Sequence, residues 1–257
     1  MRNLHFLASL VALATLPPAG ATAQTRALTV AAAANLKPAM EELKKGFEAE
    51  SPGVEVAVTT GASGVFFAQL QHGAPFDLFF SADRDYPRKV VEAGLASADG
   101  EVVYAIGKLV VWTPKGSPLD LEHRGLAALA DPAVKRIAIA NPSVAPYGRA
   151  ARAALSAAKV LEAVQDRLVL GENVSQTAQF AQTGAADAAF VPLSLTFAPA
   201  FEGGAVYIVP PSSYPAQEQS AVVLRSAHDA ALAKAFLAYV TGPRGRAVLG
   251  RFGYALP

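Results

Sequence analysis

Four points in this chain end a short apolar strand in small or polar residues and begin a helix at once. They lie at residues 33–36, 61–64, 145–148 and 172–175. The first backbone N–H groups of a helix have no partner within it and lie at the positive end of its dipole, so they attract anions. Open α/β sheets place such helix starts at the carboxyl ends of their strands, where ligands bind. The pattern predicts a cleft that holds a small anion with uncharged donors.

The first 23 residues are typical of a secretory signal peptide. A basic residue, Arg2, precedes an apolar stretch from about residue 4 to residue 16, and a small-residue A-x-A sequence ends at Ala23. The apolar stretch is shorter than the roughly 20 residues that span a bilayer, and two prolines interrupt it. We therefore expect export and cleavage after Ala23 rather than a membrane anchor. The chain has no cysteine that could carry a lipid.

Charge and composition exclude several classes of protein. Cleavage after Ala23 would leave 21 basic residues facing 21 acidic ones, and a net charge near zero argues against nucleic acid or an anionic membrane as a partner. The absence of cysteine rules out disulfides, thiolate metal sites and cysteine nucleophiles. His72, His123 and His228 are scattered without the spacing of metal ligands. We therefore expect no site for a bare metal cation.

Strands and helices alternate along the chain, which predicts an α/β fold with mainly parallel sheets. Two such stretches, residues 24–105 and 106–207, precede a C-terminal piece that is too short to be a domain. The prediction is two lobes, with residues 24–105 plus 208–257 in lobe I and 106–207 in lobe II. Crossovers near residues 105 and 208 would form the hinge. Residues 210–219 are expected to be a loop.

Each helix start offers one candidate for ligand binding. Asn35 is either a ligand or an ordinary N-cap, and Ser63 lies in a Gly-Ala-Ser-Gly turn whose glycines leave backbone N–H groups accessible. The hydroxyl of Tyr147 needs a partner if it is buried, and either an anion or packing at the hinge would account for this residue. Val174 has no polar side chain, so only its backbone N–H could take part.

The four helix starts contain no lysine, arginine or histidine, and Glu172 is their only acidic residue. A pocket of donors alone suits an oxyanion that carries no proton, because all its oxygens are acceptors. A protonated anion such as hydrogen phosphate would also need an acceptor. The residues therefore favour a dianion such as molybdate, tungstate or sulfate.

Longer stretches resemble the periplasmic molybdate-binding proteins of ABC importers over nearly the whole exported chain. These stretches are LTVAAAANL at 28–36, GAPFDLFFSAD at 73–83, YAIGKLVV at 104–111, IANPSVAPYG at 139–148, GAADAAFVPLS at 184–194 and GPRGRAVLGRFGY at 242–254. The resemblance implies a two-lobed type II periplasmic binding protein fold with a hinge and an interlobe cleft. It also implies a monomer without cofactor or enzyme activity. Such a protein captures molybdate, and also tungstate, for the permease and ATPase subunits of the importer.

The resemblance also implies which residues contact the oxyanion. By motif, the contacts fall on Asn35, Ser63, Tyr147 and Val174. The common form of the family has serine, alanine and tyrosine at the positions of Asn35, Tyr147 and Pro192. This chain is closer to a subgroup with Asn and Tyr at the first two positions, so Pro192 should not be a ligand. One form of that subgroup has threonine at the position of Ala34, which here can offer only its backbone.

Other interpretations stay open at this point. The ligand could be another tetrahedral oxyanion such as sulfate. A secreted serine hydrolase is a second class, although the chain has no G-x-S-x-G turn, and a transcriptional regulator would need a DNA-binding helix-turn-helix. Asp77, Asp83 and Asp187 are expected to be structural residues that fix adjoining turns.

Overall fold

The computed structural model describes residues 25–97 and 100–257. The predicted signal peptide and its cleavage site lie outside these residues. Within the described part, no helix has the length and apolar character needed to cross a membrane.

The described residues form ten strands and nine α-helices. The strands are β1 (Arg26–Ala33), β2 (Val54–Gly61), β3 (Leu78–Phe80), β4 (Val102–Gly107), β5 (Leu109–Thr113), β6 (Ile137–Ala140), β7 (Leu168–Gly171), β8 (Ala188–Pro192), β9 (Ala205–Ile208) and β10 (Gln217–Val223). The helices are α1 (Lys37–Glu50), α2 (Ser63–Gln71), α3 (Asp85–Glu92), α4 (Leu121–Arg124), α5 (Pro146–Ala157), α6 (Leu161–Val164), α7 (Val174–Gln182), α8 (Ala230–Thr241) and α9 (Pro243–Arg251).

Two five-stranded sheets organise the chain, with strand orders β2-β1-β3-β10-β4 and β7-β6-β8-β5-β9. In the first sheet β1 is parallel to β2 and β3, whereas β10 is antiparallel to β3 and β4. In the second sheet β6 is parallel to β7 and β8, whereas β5 is antiparallel to β8 and β9. The prediction of mainly parallel sheets is therefore wrong. Both β5 and β10 enter their sheets directly from the other sheet, without the crossover helix that would set them parallel.

The chain changes sheet twice. A single residue, Lys108, separates β4 from β5, and residues 209–216 lead from β9 to β10. We propose that the first sheet is the core of lobe I and the second the core of lobe II. On this basis the hinge consists of Lys108 and residues 209–216.

The strand β10 begins at Gln217, so the prediction of a loop through residue 219 is wrong. Gln217, Gln219 and Ser220 are polar and yet buried, because β10 runs through the interior of the sheet between β3 and β4. The register shifts by a β-bulge between Gln219 and Ser220. This irregularity lies beside the site described below.

Each sheet is covered by helices whose apolar faces supply the core. The helix α1 buries Met40, Leu43 and Phe47 at helical spacing, and the Phe47 ring meets that of Phe236 edge to face at 5.1 Å. In lobe II, α5 buries Ala151 and Leu155, among others. The helices α1, α2, α5 and α7 follow β1, β2, β6 and β7 along the chain, which places their starts at the carboxyl ends of these strands.

Candidate anion-binding site

A small cavity lies where the four predicted helix starts meet. It is lined by Ala33, Ala34, Asn35, Gly61, Ala62, Ser63, Ala82, Ala145, Pro146, Tyr147, Asn173 and Val174. The structure thus brings together all five residues proposed from the sequence. Pro192, which ends β8, is not among the lining residues.

The size and charge of this cavity restrict what it can hold. Its volume is about 10 Å³, so it can hold only a compact group, and a sugar or a peptide does not fit. Its described lining contains no charged side chain. A larger cavity of about 330 Å³ lies elsewhere in lobe II, beside Lys115 and Arg124. It contains none of the residues proposed from the sequence.

Ser63 is the first residue of α2 and is 1% exposed. Its hydroxyl accepts a hydrogen bond from the backbone N–H of Ala82 at 3.0 Å. Ala62 occupies the N-cap position, and no side chain caps this helix, so Ser63 is not a cap. Since its oxygen accepts, the hydroxyl keeps its own proton for a further partner.

Tyr147 is the second residue of α5, after Pro146, and is buried. Its hydroxyl oxygen accepts a hydrogen bond from Nε2 of Gln219 at 2.9 Å. Burial raises the pKa of Tyr147 well above its ordinary value, so the phenol stays protonated near neutral pH. It is therefore available as a hydrogen-bond donor.

Asn35 lies within a 3₁₀ turn, Ala34–Leu36, and does not cap α1, whose N-cap position belongs to Leu36. Its Nδ2 donates to Oε1 of Gln219 and to the hydroxyl of Tyr254, both at 2.8 Å. The carboxamide oxygen of Asn35 is buried and has no hydrogen-bond partner among the described residues. In this arrangement the backbone N–H, not the side chain, is the donor that Asn35 offers.

Val174 is the first residue of α7 and follows the N-cap residue Asn173. The Asn173 side chain accepts from the backbone N–H groups of Ser175 and Gln176 at 2.9 and 3.2 Å. This cap satisfies the second and third N–H groups of the helix. The N–H of Val174 comes first and is left for a ligand.

Behind the cavity lies a buried polar network that sequence reasoning missed. The hydroxyls of Ser194 and Tyr254 donate to the backbone oxygen of Asn35 at 2.8 and 2.9 Å, and Gln219 contacts both Asn35 and Tyr147. The predicted loop includes Gln219, and a loop position does not suggest burial. One signal could have indicated that Gln219 belongs to a strand. Gln217 and Gln219 directly precede an apolar run, and their spacing of two residues places both side chains on the same face of a strand.

The three motif aspartates do fix turns. Asp77 accepts from the backbone N–H groups of Thr29 and His228, both at 2.7 Å, and Asp187 accepts from those of Lys135 and Arg136. The carboxylate of Asp83 accepts from the backbone N–H of Tyr86 and also from the guanidinium of Arg149. The pairing of Asp83 with Arg149 was not predicted.

Comparisons with known proteins show the family and the fold of this chain. The family model for bacterial extracellular solute-binding proteins matches residues 28–255. The molybdate-binding protein ModA of Azotobacter vinelandii is 37% identical over 235 residues, which is 91% of this chain and 92% of that protein. The ModA protein of Rhodobacter capsulatus is 36% identical over 87% of this chain and 86% of its own length.

The fold is also found among solved structures. The periplasmic molybdate-binding protein of Azotobacter vinelandii superposes with a TM-score of 0.83 at 34% identity, covering 90% of this chain and 99% of that one. The two-lobed architecture expected from the sequence is thus confirmed. With matches over nearly its whole described length, the chain belongs to the family of bacterial extracellular solute-binding proteins.

Proposed function

We propose that this protein captures molybdate, and also tungstate, between its two lobes and delivers it to an ABC importer. The observation that carries the proposal is the small cavity at four helix starts, whose described lining is uncharged and rich in donors. The names of the relatives in Azotobacter vinelandii and Rhodobacter capsulatus support molybdate as the ligand. Those relatives are binding proteins, and this chain is a binding protein rather than an enzyme.

The proposed contacts come from both lobes. Lobe I supplies the hydroxyl of Ser63 and the backbone N–H of Asn35, with that of Ala34 as an additional contact. Lobe II supplies the hydroxyl of Tyr147 and the backbone N–H of Val174. A hydrogen bond to a charged group contributes roughly 1.5–3 kcal/mol. Several such bonds hold a dianion without a cationic side chain, because fixed dipoles in a closed site need no rearrangement.

Because the anion is contacted by residues of both lobes, its binding favours closure of the cleft. The backbone N–H of Gly64, at the start of α2, donates to the backbone oxygen of Val144 in lobe II at 2.9 Å. This contact and those of the anion form together as the cleft closes. The ligand therefore shifts the population toward the closed form in proportion to its preference for that form.

The rest of the proposal concerns the route of the protein and its partners. The signal-like residues 1–23 would direct export, and cleavage after Ala23 would release a monomer into the periplasm. The closed complex would then dock on the membrane permease, with the ATPase subunits driving import. The protein needs no cofactor, and molybdenum enters only as the oxyanion.

Calorimetric titration of residues 24–257 with molybdate, tungstate, sulfate, phosphate and chromate tests the ligand. We expect tight binding of molybdate and tungstate and little or no binding of phosphate, because the proposed donor groups offer no acceptor for its proton. Both favoured anions should also raise the melting temperature, since a hundredfold excess over Kd adds about 2.7 kcal/mol to the free energy of unfolding. Equal heats with phosphate would contradict the proposal, and a preference for sulfate would reassign the ligand.

A further inference from the structure

The side-chain amide of Gln219 lies behind the cavity and contacts residues from both lobes. Gln219 has no exposed surface. Its Oε1 accepts from Nδ2 of Asn35 at 2.8 Å and from the hydroxyl of Tyr104 at 2.9 Å, while its Nε2 donates to the hydroxyl oxygen of Tyr147 at 2.9 Å. Gln219 is not a lining residue of the cavity. It therefore contacts the proposed ligand residues without reaching the ligand.

Because Gln219 is the donor in its hydrogen bond with Tyr147, the hydroxyl hydrogen of Tyr147 must point to another acceptor. A hydroxyl has one hydrogen to donate, and in Tyr147 the oxygen already accepts from Gln219. No described residue accepts the hydrogen of Tyr147 in return. Because the side chain is buried at the cavity, a bound anion is the acceptor within its reach.

We infer that Gln219 is a positioning residue, whose amide turns the hydroxyl of Tyr147 toward the anion and ties its direction to that of the Asn35 amide. The inference deepens the proposed function and rests on it. Gln219 and Tyr254 use both amide hydrogens of Asn35. If the Asn35 amide alone reversed, its oxygen would face Oε1 of Gln219, so the two amides can reverse only together.

Gly107 in β4 provides a second, independent observation. A Cβ atom built at this position would overlap the hydroxyl of Tyr147 and lie 2.5 Å from Nε2 of Gln219. The bond between Gln219 and Tyr147 thus occupies space that only glycine leaves open. Any side chain at position 107 would force these two groups to move.

The test is a double-mutant cycle on molybdate affinity, measured by calorimetry. We expect Gln219→Met to weaken binding about tenfold in the wild-type background, because the phenol proton is no longer directed. In the Tyr147→Phe background the same change should cost less than about threefold, because the hydroxyl it positions is gone.

Gln217→Met is the matched control. Gln217 is also buried on β10, two residues away, and its Nε2 donates to the backbone oxygen of Pro215. It has no hydrogen bond to Asn35 or Tyr147. We expect its substitution to change the affinity by less than about twofold.

The outcomes separate this inference from the proposed function. If the wild-type protein binds neither molybdate nor tungstate, the proposed function fails and the inference falls with it. If the wild type binds and Gln219→Met binds equally well, the inference alone is overturned. It is overturned as well if Gln219→Met costs as much in the Tyr147→Phe background as in the wild type, because the role of Gln219 would then be only structural.

A second variant serves if Gln219→Met does not fold. Gln219→Glu keeps the shape, but an ionised carboxylate has no hydrogen to donate and would instead accept a hydrogen bond from the hydroxyl of Tyr147. Its molybdate affinity should therefore fall as the pH rises through the pKa of the new carboxyl group, which burial raises. The molybdate affinity of the wild type should not change over the same pH range. If the affinities of the wild type and of Gln219→Glu depend on pH in the same way, the inference is overturned.

Discussion

Arg149 of α5 donates a hydrogen bond from its guanidinium to the carboxylate of Asp83, and this ion pair links the two proposed lobes. Asp83 follows β3 in lobe I and is largely buried, whereas Arg149 is about 38% exposed. Burial raises the pKa of Asp83, although hydrogen bonds from Ser81 and Tyr86 and the charge of Arg149 oppose that effect. Because Asp83 and Arg149 belong to different proposed lobes, we expect the pair to form only when the lobes close.

Removing this ion pair should weaken molybdate binding without changing the cavity. We expect Arg149→Met and Asp83→Asn each to cost up to about 1 kcal/mol, or about fivefold in Kd. A simple charge effect on the dianion would have opposite signs in the two variants, whereas loss of the pair weakens binding in both. Arg84→Met is the control, because Arg84 pairs at 2.7 Å with Glu101 within lobe I. If Arg84→Met weakens binding as much, the interlobe role is wrong.

The hydroxyls of Ser63 and Tyr147 should each contribute directly to binding. If each donates to the dianion, Ser63→Ala and Tyr147→Phe should each weaken binding by roughly 1.5–3 kcal/mol, or about ten- to hundredfold. Ser63 does not cap its helix, so we expect either variant to change the stability of the ligand-free protein by no more than about 1 kcal/mol. Calorimetry and thermal melts measure both quantities. Wild-type affinity in Tyr147→Phe would reduce Tyr147 to a packing residue.

Val174 allows a test of a backbone donor. Val174→Ala keeps the N–H group, so the affinity should hardly change. Val174→Pro removes the N–H, and the fold should tolerate it because proline suits the first position of a helix and the preceding Asn173 is extended. We expect a loss of about tenfold or more in molybdate affinity with a circular dichroism spectrum like that of the wild type. A folded proline variant with full affinity would exclude the backbone of Val174 as a contact.

The affinity for molybdate should depend only weakly on ionic strength. No described residue lining the cavity is charged, and fixed dipoles in a closed cleft are poorly screened by salt. Titrations at low and high sodium chloride check this expectation. A loss of tenfold or more at high salt would reveal a cationic contact. Lys108, between β4 and β5, would be the first residue to substitute.

Asp77 should stabilise the fold at neutral pH and lose that effect in acid. Burial alone would raise the pKa of Asp77, but hydrogen bonds from Thr29 and His228 outweigh it and lower the pKa below its ordinary value. A lowered pKa means that the stabilisation is complete above the ordinary pKa of about 3.9 and is lost as the pH falls below it. We expect Asp77→Asn to reduce the free energy of unfolding by roughly 1.5–3 kcal/mol at pH 7, with a smaller deficit near pH 3.

Urea unfolding of the ligand-free protein at several pH values measures this effect. The exposed Asp166 offers a matched control, because Asp166→Asn should change the stability by no more than about 0.5 kcal/mol. A deficit for Asp77→Asn that is the same at pH 3 and pH 7 would show that the charge of the carboxylate is irrelevant.

Local pattern was enough to predict the alternation of strands and helices and the meeting of the four helix starts. The alternation of strands and helices could be predicted because short apolar runs between turn residues, such as those of β5 and β6, are a local signal. Ala34, Asn35, Ser63, Tyr147 and Val174 line one cavity because the strands before them end at the same edges. Their roles toward a ligand stay predictions.

Features that depend on distant partners could not be predicted. The direction of β10 follows from which strands it pairs with, and the burial of Gln219 follows from the position of β10 inside the sheet. The side-chain amide of Asn35 donates to Gln219, which is 184 positions away in the sequence, and to Tyr254, which is 219 positions away. No local pattern contains such information.

The interior position of β10 also determines the order in which the two sheets can be completed during folding. Leu78–Phe80 and Val102–Gly107 belong to one sheet, but only Gln217–Val223 connects them. As the chain emerges from its amino terminus, the first sheet stays incomplete until nearly the whole polypeptide has followed. The second sheet, built from residues 109–208 without interruption, has no such delay. A partly emerged chain therefore presents an unfinished first lobe, which is the loose state that the proposed export through a narrow translocation channel requires.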